Sequence, residues 1–304
     1  MGVSVKGKIA IMRYHTEFRG SKVQQATKHG AIGAILYSDP KECAMDGTTT
    51  EHVYPSTVWM PPEGVQRGSL MIADGDVLTP LYPSRADLYG ARTIQEAKNV
   101  GLMPTIPVLP LSYSDAYQLL SRLDGQDVPA EWAGGLNITY KTGPGFTGDK
   151  TTKARVTVHA STQIKEIRNV IGYIYGQEEP DDGTATLAEV ARAFTQTIKE
   201  SDWRPARTLV FCAWDAEEYG LIGSTEFVED FANILSDRAI VYLNVDLISA
   251  NSTLNADTIP SMYQAVVDAS KKIPNPMKTE RDAGRKTVYD TWIQKDSIAN
   301  TLLA

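Results

Sequence analysis

Histidine is scarce in this chain, and its placement excludes more than its number does. The four histidines are His15, His29, His52 and His159, so residues 160–304 contain none. Any metal or acid–base site built from the second half alone must therefore do without imidazole. Cysteine is scarcer still. Cys43 and Cys212 make neither a disulfide framework nor a metal knuckle, and Cys212, inside "TLVFCAW", reads as a small buried hydrophobe. No stretch approaches the roughly 18 consecutive apolar residues of a membrane span. The opening "MGVSVKGKIAIMRYH" has its apolar run broken by charge, which fits a strand better than a signal peptide. Lys6 stands where a myristoylation signal needs Ser or Thr. Positive charge is in deficit too: a net charge of −7 argues against nucleic acid or an anionic membrane as main partner. The expectation is a soluble, unexported chain. Its 304 residues suffice for one large domain or two ordinary ones.

What is present divides near the middle. The first half is expected to be β-rich. "GKIAIMRY" (7–14) alternates as a strand does, and "SKVQQATKHGAIGAILYSD" reads as a short helix followed by a buried strand. Residues 40–85 are dominated by turn formers, including "MPPEG", "ADGD" and "LTPLYPS". A proline-punctuated segment then leads into an amphipathic helix at 113–122. His15, His29 and His52 are scattered, as loop or turn residues would be. Two glycosylation triplets, starting at Asn137 and Asn251, carry weight only in a secreted protein.

From about residue 150 strands and helices alternate. "ARVTVHA", "NVIGYIYG", "RTLVFCAWD" and "AIVYLNVDLI" read as strands, and His159 as a packed or hydrogen-bonded strand residue. "TATLAEVARAFTQTIKE" places Leu187, Val190, Ala191, Phe194 and Ile198 on one helical face. "STEFVEDFANILSD" reads as a helix opened by a Ser/Thr cap, and "IPSMYQAVVDASKKI" as another helix. The pattern predicts an α/β fold with a doubly wound, mostly parallel sheet. Chemistry in such sheets sits beyond the carboxyl ends of the strands. Glu217 and Glu218 follow one strand end and Asp246 lies near the next. Three carboxylates on one rim suit a divalent cation or, equally, a solvated acidic loop.

The blocks "GKIAIMRYHTEFRGSKVQQATKHGAIGAILYSDP", "GVQRG", "LTPLYP" and "GPGFTG" resemble the protease-associated domain of the glutamate carboxypeptidase II and transferrin receptor-like family. "WRPARTLVFCAWDAEEYGLIGSTEFVED" and "YLNVD" resemble its zinc exopeptidase core. The resemblance implies a protease-associated domain at 1–149 and a partial zinc-dependent exopeptidase domain at 150–304. It implies Glu217 as general base, Glu218 and Asp246 as zinc ligands, and Arg19 of "FRG" as an anchor for the substrate's free carboxylate. A guanidinium fork suits that task. It further implies a structural calcium held by Thr79, Tyr82, Glu226 and Glu229, oxygen donors that such a cation prefers. A peptide or acyl-dipeptide substrate, type II membrane anchorage and homodimers follow for full-length members.

The same resemblance marks what this chain departs from. The paired zinc site also needs two histidines and a bridging aspartate. The aspartate and first histidine are expected where the chain has only "QEEPDD" (177–182), so a strand-bearing segment is expected to be absent there. The last histidine is expected beyond "GRKTVYDTWIQKDS". Asn255 stands where glutamate-preferring members have an arginine, which weakens the expectation of an acidic dipeptide. The expected outcome is a metallopeptidase by family with hydrolysis impaired in this exact chain; the alternative is a non-catalytic, receptor-like binding protein.

Overall fold

Strand β1 (Ile9–Arg13) and strand β2 (Gly33–Tyr37) lie parallel because helix α1 (Arg19–Lys28) carries the chain back between them. This is a computed structural model, and it describes residues 2–149, 151–174, 185–245 and 253–295. A short helix α2 (Pro40–Cys43) follows β2, with the Asp39 side chain accepting from the Lys41 amide as its cap. A long stretch of turns then leads to α3 (Ile94–Asn99), opened by a reciprocal Thr93–Glu96 capping box. Strand β3 (Val108–Leu111) pairs parallel to β2, and α4 (Tyr113–Leu120) closes the layer behind a Ser112 cap. The sheet order is β1-β2-β3, so β2 is central, and all five of its residues are buried.

Alternation along β2 feeds two cores. Ala34 and Leu36 pack with Val23 of α1 and Tyr14. Tyr37 packs on the other face with Ala116 and Leu120 of α4 and with Tyr140. Asp39, just beyond β2, is a buried hub. Its carboxylate accepts from the amides of Lys41 (2.9 Å) and Gly135 (2.6 Å) and from the Tyr140 hydroxyl (2.7 Å). These bonds tie the segment 133–140 to the sheet and offset the cost of burying a charge.

In the second half β4 (Val170–Ile174) pairs with β5 (Leu209–Ala213), across the amphipathic helix α5 (Ala185–Glu200). Ile174, Phe211, Leu187, Ala191, Phe194 and Ile198 form the core expected of that helix face. Val190 does not join them; it is 42% exposed. The mixed α/β character is as expected, and the parallel ladder belongs to the first half, whereas β4 and β5 run antiparallel. Residues 154–160 and 241–245 are not strands, contrary to expectation. An apolar run becomes a strand only where a neighbouring edge takes up its backbone groups, and neither run finds one among the described residues. His159 is accordingly exposed rather than packed. Helix α6 (Ile222–Arg238) completes this part. The interval 177–182 and Asp246 lie outside the described residues.

The chain divides into two compact units, Met1–Ala239 and Ile240–Ala304. The second contains α7 (Tyr263–Lys272), α8 (Lys278–Asp282) and α9 (Val288–Lys295). Val267 and Trp292 centre its core, and Leu254 and Ala256 pack on them while Asn255 between them is exposed. Glu280 is buried there and ion-paired with Arg285 and Lys295 (2.5 and 2.6 Å). Hydrogen bonds from those two cations hold its carboxyl down at about 2. A depressed acid stabilises the fold above its unfolded value and ceases to do so as pH falls through its folded one. Amide spectra of Val267 and Trp292 should therefore report loss of this unit's structure between about pH 4.5 and 2. Glu280→Gln should unfold it more readily at neutral pH and flatten that acid limb.

Candidate functional site

Strand β5 ends at Ala213, and the next residues turn sharply instead of continuing the ladder. Ala216 (φ 53°) and Leu221 (φ 55°) are both left-handed, a conformation that costs a non-glycine residue roughly 1–2 kcal/mol. Between them Glu217–Tyr219 form one turn of 3-10 helix. A local network holds this shape. The Asp215 carboxylate accepts from the Arg168 amide (2.8 Å) and the Ala216 amide (2.7 Å). Asn169 accepts from the Asp215 amide (3.0 Å) and donates to the Gly223 carbonyl (2.7 Å).

The Ser/Thr cap expected for α6 is not used. The helix begins earlier, and the Ile222 and Gly223 amides donate back to the Ala216 and Asp215 carbonyls (3.3 and 3.0 Å). The strained turn thus satisfies donors that a cap would otherwise serve. It presents Glu218 to solvent and leaves Glu217 half-buried.

The turn leans on the first half of the chain. The Gly75 amide donates to the Gly220 carbonyl (2.9 Å), and the Ser69 hydroxyl donates to the Tyr219 carbonyl (3.5 Å). Ser69 also reaches Arg19: its carbonyl accepts from the Arg19 Nε at 2.7 Å. One residue therefore links the expected carboxylate anchor to the turn bearing the two glutamates. Arg19 sits 5.1 Å above the Phe18 ring and crosses Gly68 so closely that a Cβ there would overlap its guanidinium. Gly68 also sits at φ 150°, so Gly68→Ala should strain the backbone locally as well as swing that side chain away. Affinity for a small carboxylate such as N-acetylglutamate, read by calorimetry, should fall about tenfold. Neither Ser69 nor the glycines around it was singled out from sequence; "GVQRG" entered only as one block of the family resemblance.

The expected calcium residues also converge. The loop 76–85 is laced onto α6. Glu226 accepts from the amides of Asp76 (2.9 Å) and Ser84 (2.5 Å), Glu229 accepts from that of Leu81 (2.8 Å), and Arg85 pairs with Asp230. Two oxygens in this interface, Thr79 Oγ1 and Glu229 Oε2, are buried with no hydrogen-bond partner among the described residues. Burial pushes the Glu229 carboxyl up, and the charges of Glu226 and Asp76 add to it. Unpaired oxygens under like-charge pressure fit an oxygen-seeking cation. Tyr82 is partly exposed and donates its amide to the Thr79 carbonyl (3.3 Å).

The zinc residues do not converge in this way. Glu218 is exposed, Asp246 lies outside the described residues, and among the described residues no three His, Cys, Asp or Glu side chains form a metal-holding group. The histidines are dispersed: His15 stands near Glu42, His29 contacts the Gln25 carbonyl, and His52 contacts Thr49.

Comparison with known proteins bears on both halves. Residues 2–72 match the PA domain, and residues 181–296 match peptidase family M28. The chain is 56% identical to a glutamate carboxypeptidase 2 homolog of Caenorhabditis briggsae, over 97% of its own length and 41% of that protein. It is 34% identical to the mouse aminopeptidase NAALADL1, over 96% of its own length and 42% of that protein. The chain carries PA and peptidase family M28 regions, consistent with the glutamate carboxypeptidase II and transferrin receptor-like family.

The chain spans about two fifths of the length of the curated relatives it matches. Its alignment with the C. briggsae family member runs over 317 residues, more than the 304 present here. That relative therefore carries residues within the aligned interval that this chain lacks. Among the described residues no helix is long and apolar enough to cross a membrane.

Proposed function

We propose that this chain forms part of a glutamate carboxypeptidase-like metallopeptidase, one that takes a peptide or acyl-dipeptide and releases its C-terminal residue. Residues 1–149 serve as the protease-associated domain and 150–304 as part of the exopeptidase domain. The observation that carries the reading is the Arg19–Ser69–Tyr219 linkage, which sets a guanidinium beside the turn bearing Glu217 and Glu218. Arg19 holds the substrate's terminal carboxylate, and Glu217 is the proton acceptor.

Glu218 and Asp246 are the zinc ligands this sequence retains. A zinc ion in such a site polarises the scissile carbonyl and acidifies water. Two carboxylates fall short of the donors that two zinc ions need, so hydrolysis is impaired in this chain. We place the missing residues at 177–182, where the sequence is shorter than the family pattern. Calcium fits better. Thr79 and Glu229 would offer it their unpaired oxygens with Glu226 and Tyr82 beside them, which would add to the bonds that already tie loop 76–85 to α6.

Purified chain, dialysed against zinc and assayed by metal analysis, should retain less than one equivalent. It should release no glutamate from N-acyl dipeptides. Stoichiometric zinc with glutamate release would refute the impairment. Failure to bind N-acetylglutamate would refute the carboxylate anchor. The short interval at 177–182, within an alignment longer than this chain, favours a second reading, a binding protein without catalysis; retained N-acetylglutamate affinity without turnover would be its signature.

A further inference from the structure

A second cavity, of about 350 Å³, opens at the carboxyl ends of β1 and β2. Tyr14 and Ser38, the first residues past those two parallel strands, line it together with Glu42 and Gln66, and His15 stands at its rim. Crevices beyond the carboxyl ends of parallel strands are where open α/β sheets take ligands, and this volume lies in the range of small-molecule sites.

Two of the residues that line it carry a buried polar atom with unmet hydrogen-bonding capacity. Ser38 is only 4% exposed, and its hydroxyl has no partner among the described residues. Glu42 directs one oxygen to Arg13 (3.4 Å) and His15 (3.5 Å), while Oε2 is buried without a partner. Asp39, Tyr14 and Cys43 are already committed. Both Asp39 oxygens accept bonds, Tyr14 donates its hydroxyl to the Gln66 carbonyl (2.9 Å), and Cys43 donates to the Asp39 carbonyl (3.2 Å). Burial, together with the charges of Asp39 and Glu42, pushes the Cys43 thiol up to about 11, so it stays neutral and unreactive near pH 7.

An ionised carboxylate oxygen can only accept, and a serine hydroxyl can accept as well. The occupant must therefore donate. Charge selects further. Asp39 and Glu42 bring two negative charges to the lining; the Arg13 guanidinium beside them is already engaged by Glu42 and by the Ala133 carbonyl, and the Arg19 charge also acts on Tyr14. A cationic donor satisfies both demands, and three protons on one small centre can serve two acceptors at once. We propose that this cavity binds a small primary ammonium group, with Glu42 Oε2 and Ser38 Oγ as its acceptors and the rest of the ligand leaving past His15 and Thr16. The site is separate from the Arg19 anchor and does not depend on the peptidase reading.

The test is an amide-shift titration of the full chain with propylammonium chloride, glycinamide hydrochloride and neutral propanol at constant ionic strength. Both amines should saturate shifts at Thr16, Ser38 and Glu42, and propanol should not. Glu42→Gln should weaken amine binding about tenfold, and Ser38→Ala should weaken it by a smaller factor. Tighter binding of glycinamide would assign the site to peptide amino termini; tighter binding of propylammonium would assign it to free amines. Equal response to propanol, unsaturable shifts, or undiminished binding in folded Glu42→Gln would overturn the proposal. The unaltered chain decides the first two, so the test stands even if a variant fails to fold.

Discussion

Replacing Gly223 with alanine is expected to dismantle the turn that carries Glu217 and Glu218. A Cβ at this position would overlap the Asn169 amide oxygen and the Asp215 carbonyl, and would stand 2.9 Å from the Asp215 nitrogen. Two of those neighbours are backbone atoms, so no side-chain rotation relieves the clash. The same atoms build the turn. Asn169 bonds to Asp215 and to Gly223, and the Gly223 amide bonds back to the Asp215 carbonyl. Overpacking of this kind costs about 1–3 kcal/mol, and the upper end applies where backbone must move. The released strain at Ala216 and Leu221 removes any incentive to return. Gly223→Ala should lower the thermal midpoint by several degrees and shift the amides of Asn169 and Asp215. Carboxylate binding at Arg19 should weaken only through the loosened Tyr219–Ser69 bond. An unchanged midpoint with unchanged spectra would mean that the turn is not rigid.

Neutralising Glu229 should have opposite effects with and without calcium. In the cation-free chain its Oε2 is buried and unpaired beside Glu226 and Asp76. Its carboxyl titrates above the usual value, so the folded state holds its proton more tightly than the unfolded state does. Stability from this group is thus greatest at low pH and is lost as pH rises through the folded value. Glu229→Gln removes that penalty and should raise the midpoint in EGTA at pH 7. Calcium reverses the sign. At a hundredfold excess over its dissociation constant, a bound ion stabilises by about 2.7 kcal/mol, and the variant should forfeit nearly all of it. Thermal melts of both chains in EGTA and in calcium make the check. An equal calcium shift in the two would remove Glu229 from the site.

Much of the first half was legible because local rules and tertiary demands agree there. Strands β1 and β2, the helix between them and α4 all follow from period and turn chemistry. Arg19, Thr79, Glu226 and Glu229 enter only through family resemblance; the structure gives their contacts, and their roles remain proposals. Ser69 was not legible, since its importance comes from two bonds made by one small polar residue to partners 50 and 150 positions away. Helix α6 was placed well but its start was not, because a strained backbone replaced the side-chain cap. The runs at 154–160 and 241–245 have strand composition, and strand composition alone supplies no partner. Ser38 read as the end of a buried strand and Glu42 as part of a turn-rich stretch, and only the fold brings them to one cavity.

The bonds that fasten the Glu217–Glu218 turn and α6 to the loops at 69–84 have a kinetic consequence. Ser69–Tyr219, Asp76–Glu226, Leu81–Glu229 and Ser84–Glu226 each join residues 142–150 positions apart. Closing loops of that length costs entropy before any bond repays it, and contacts so distant in sequence form slowly. The parallel sheet and the α5 layer are each made from closer segments. The turn should therefore mature last during refolding, after both layers have condensed, and a chain caught before that step would have its secondary structure but not the seam between turn and loops.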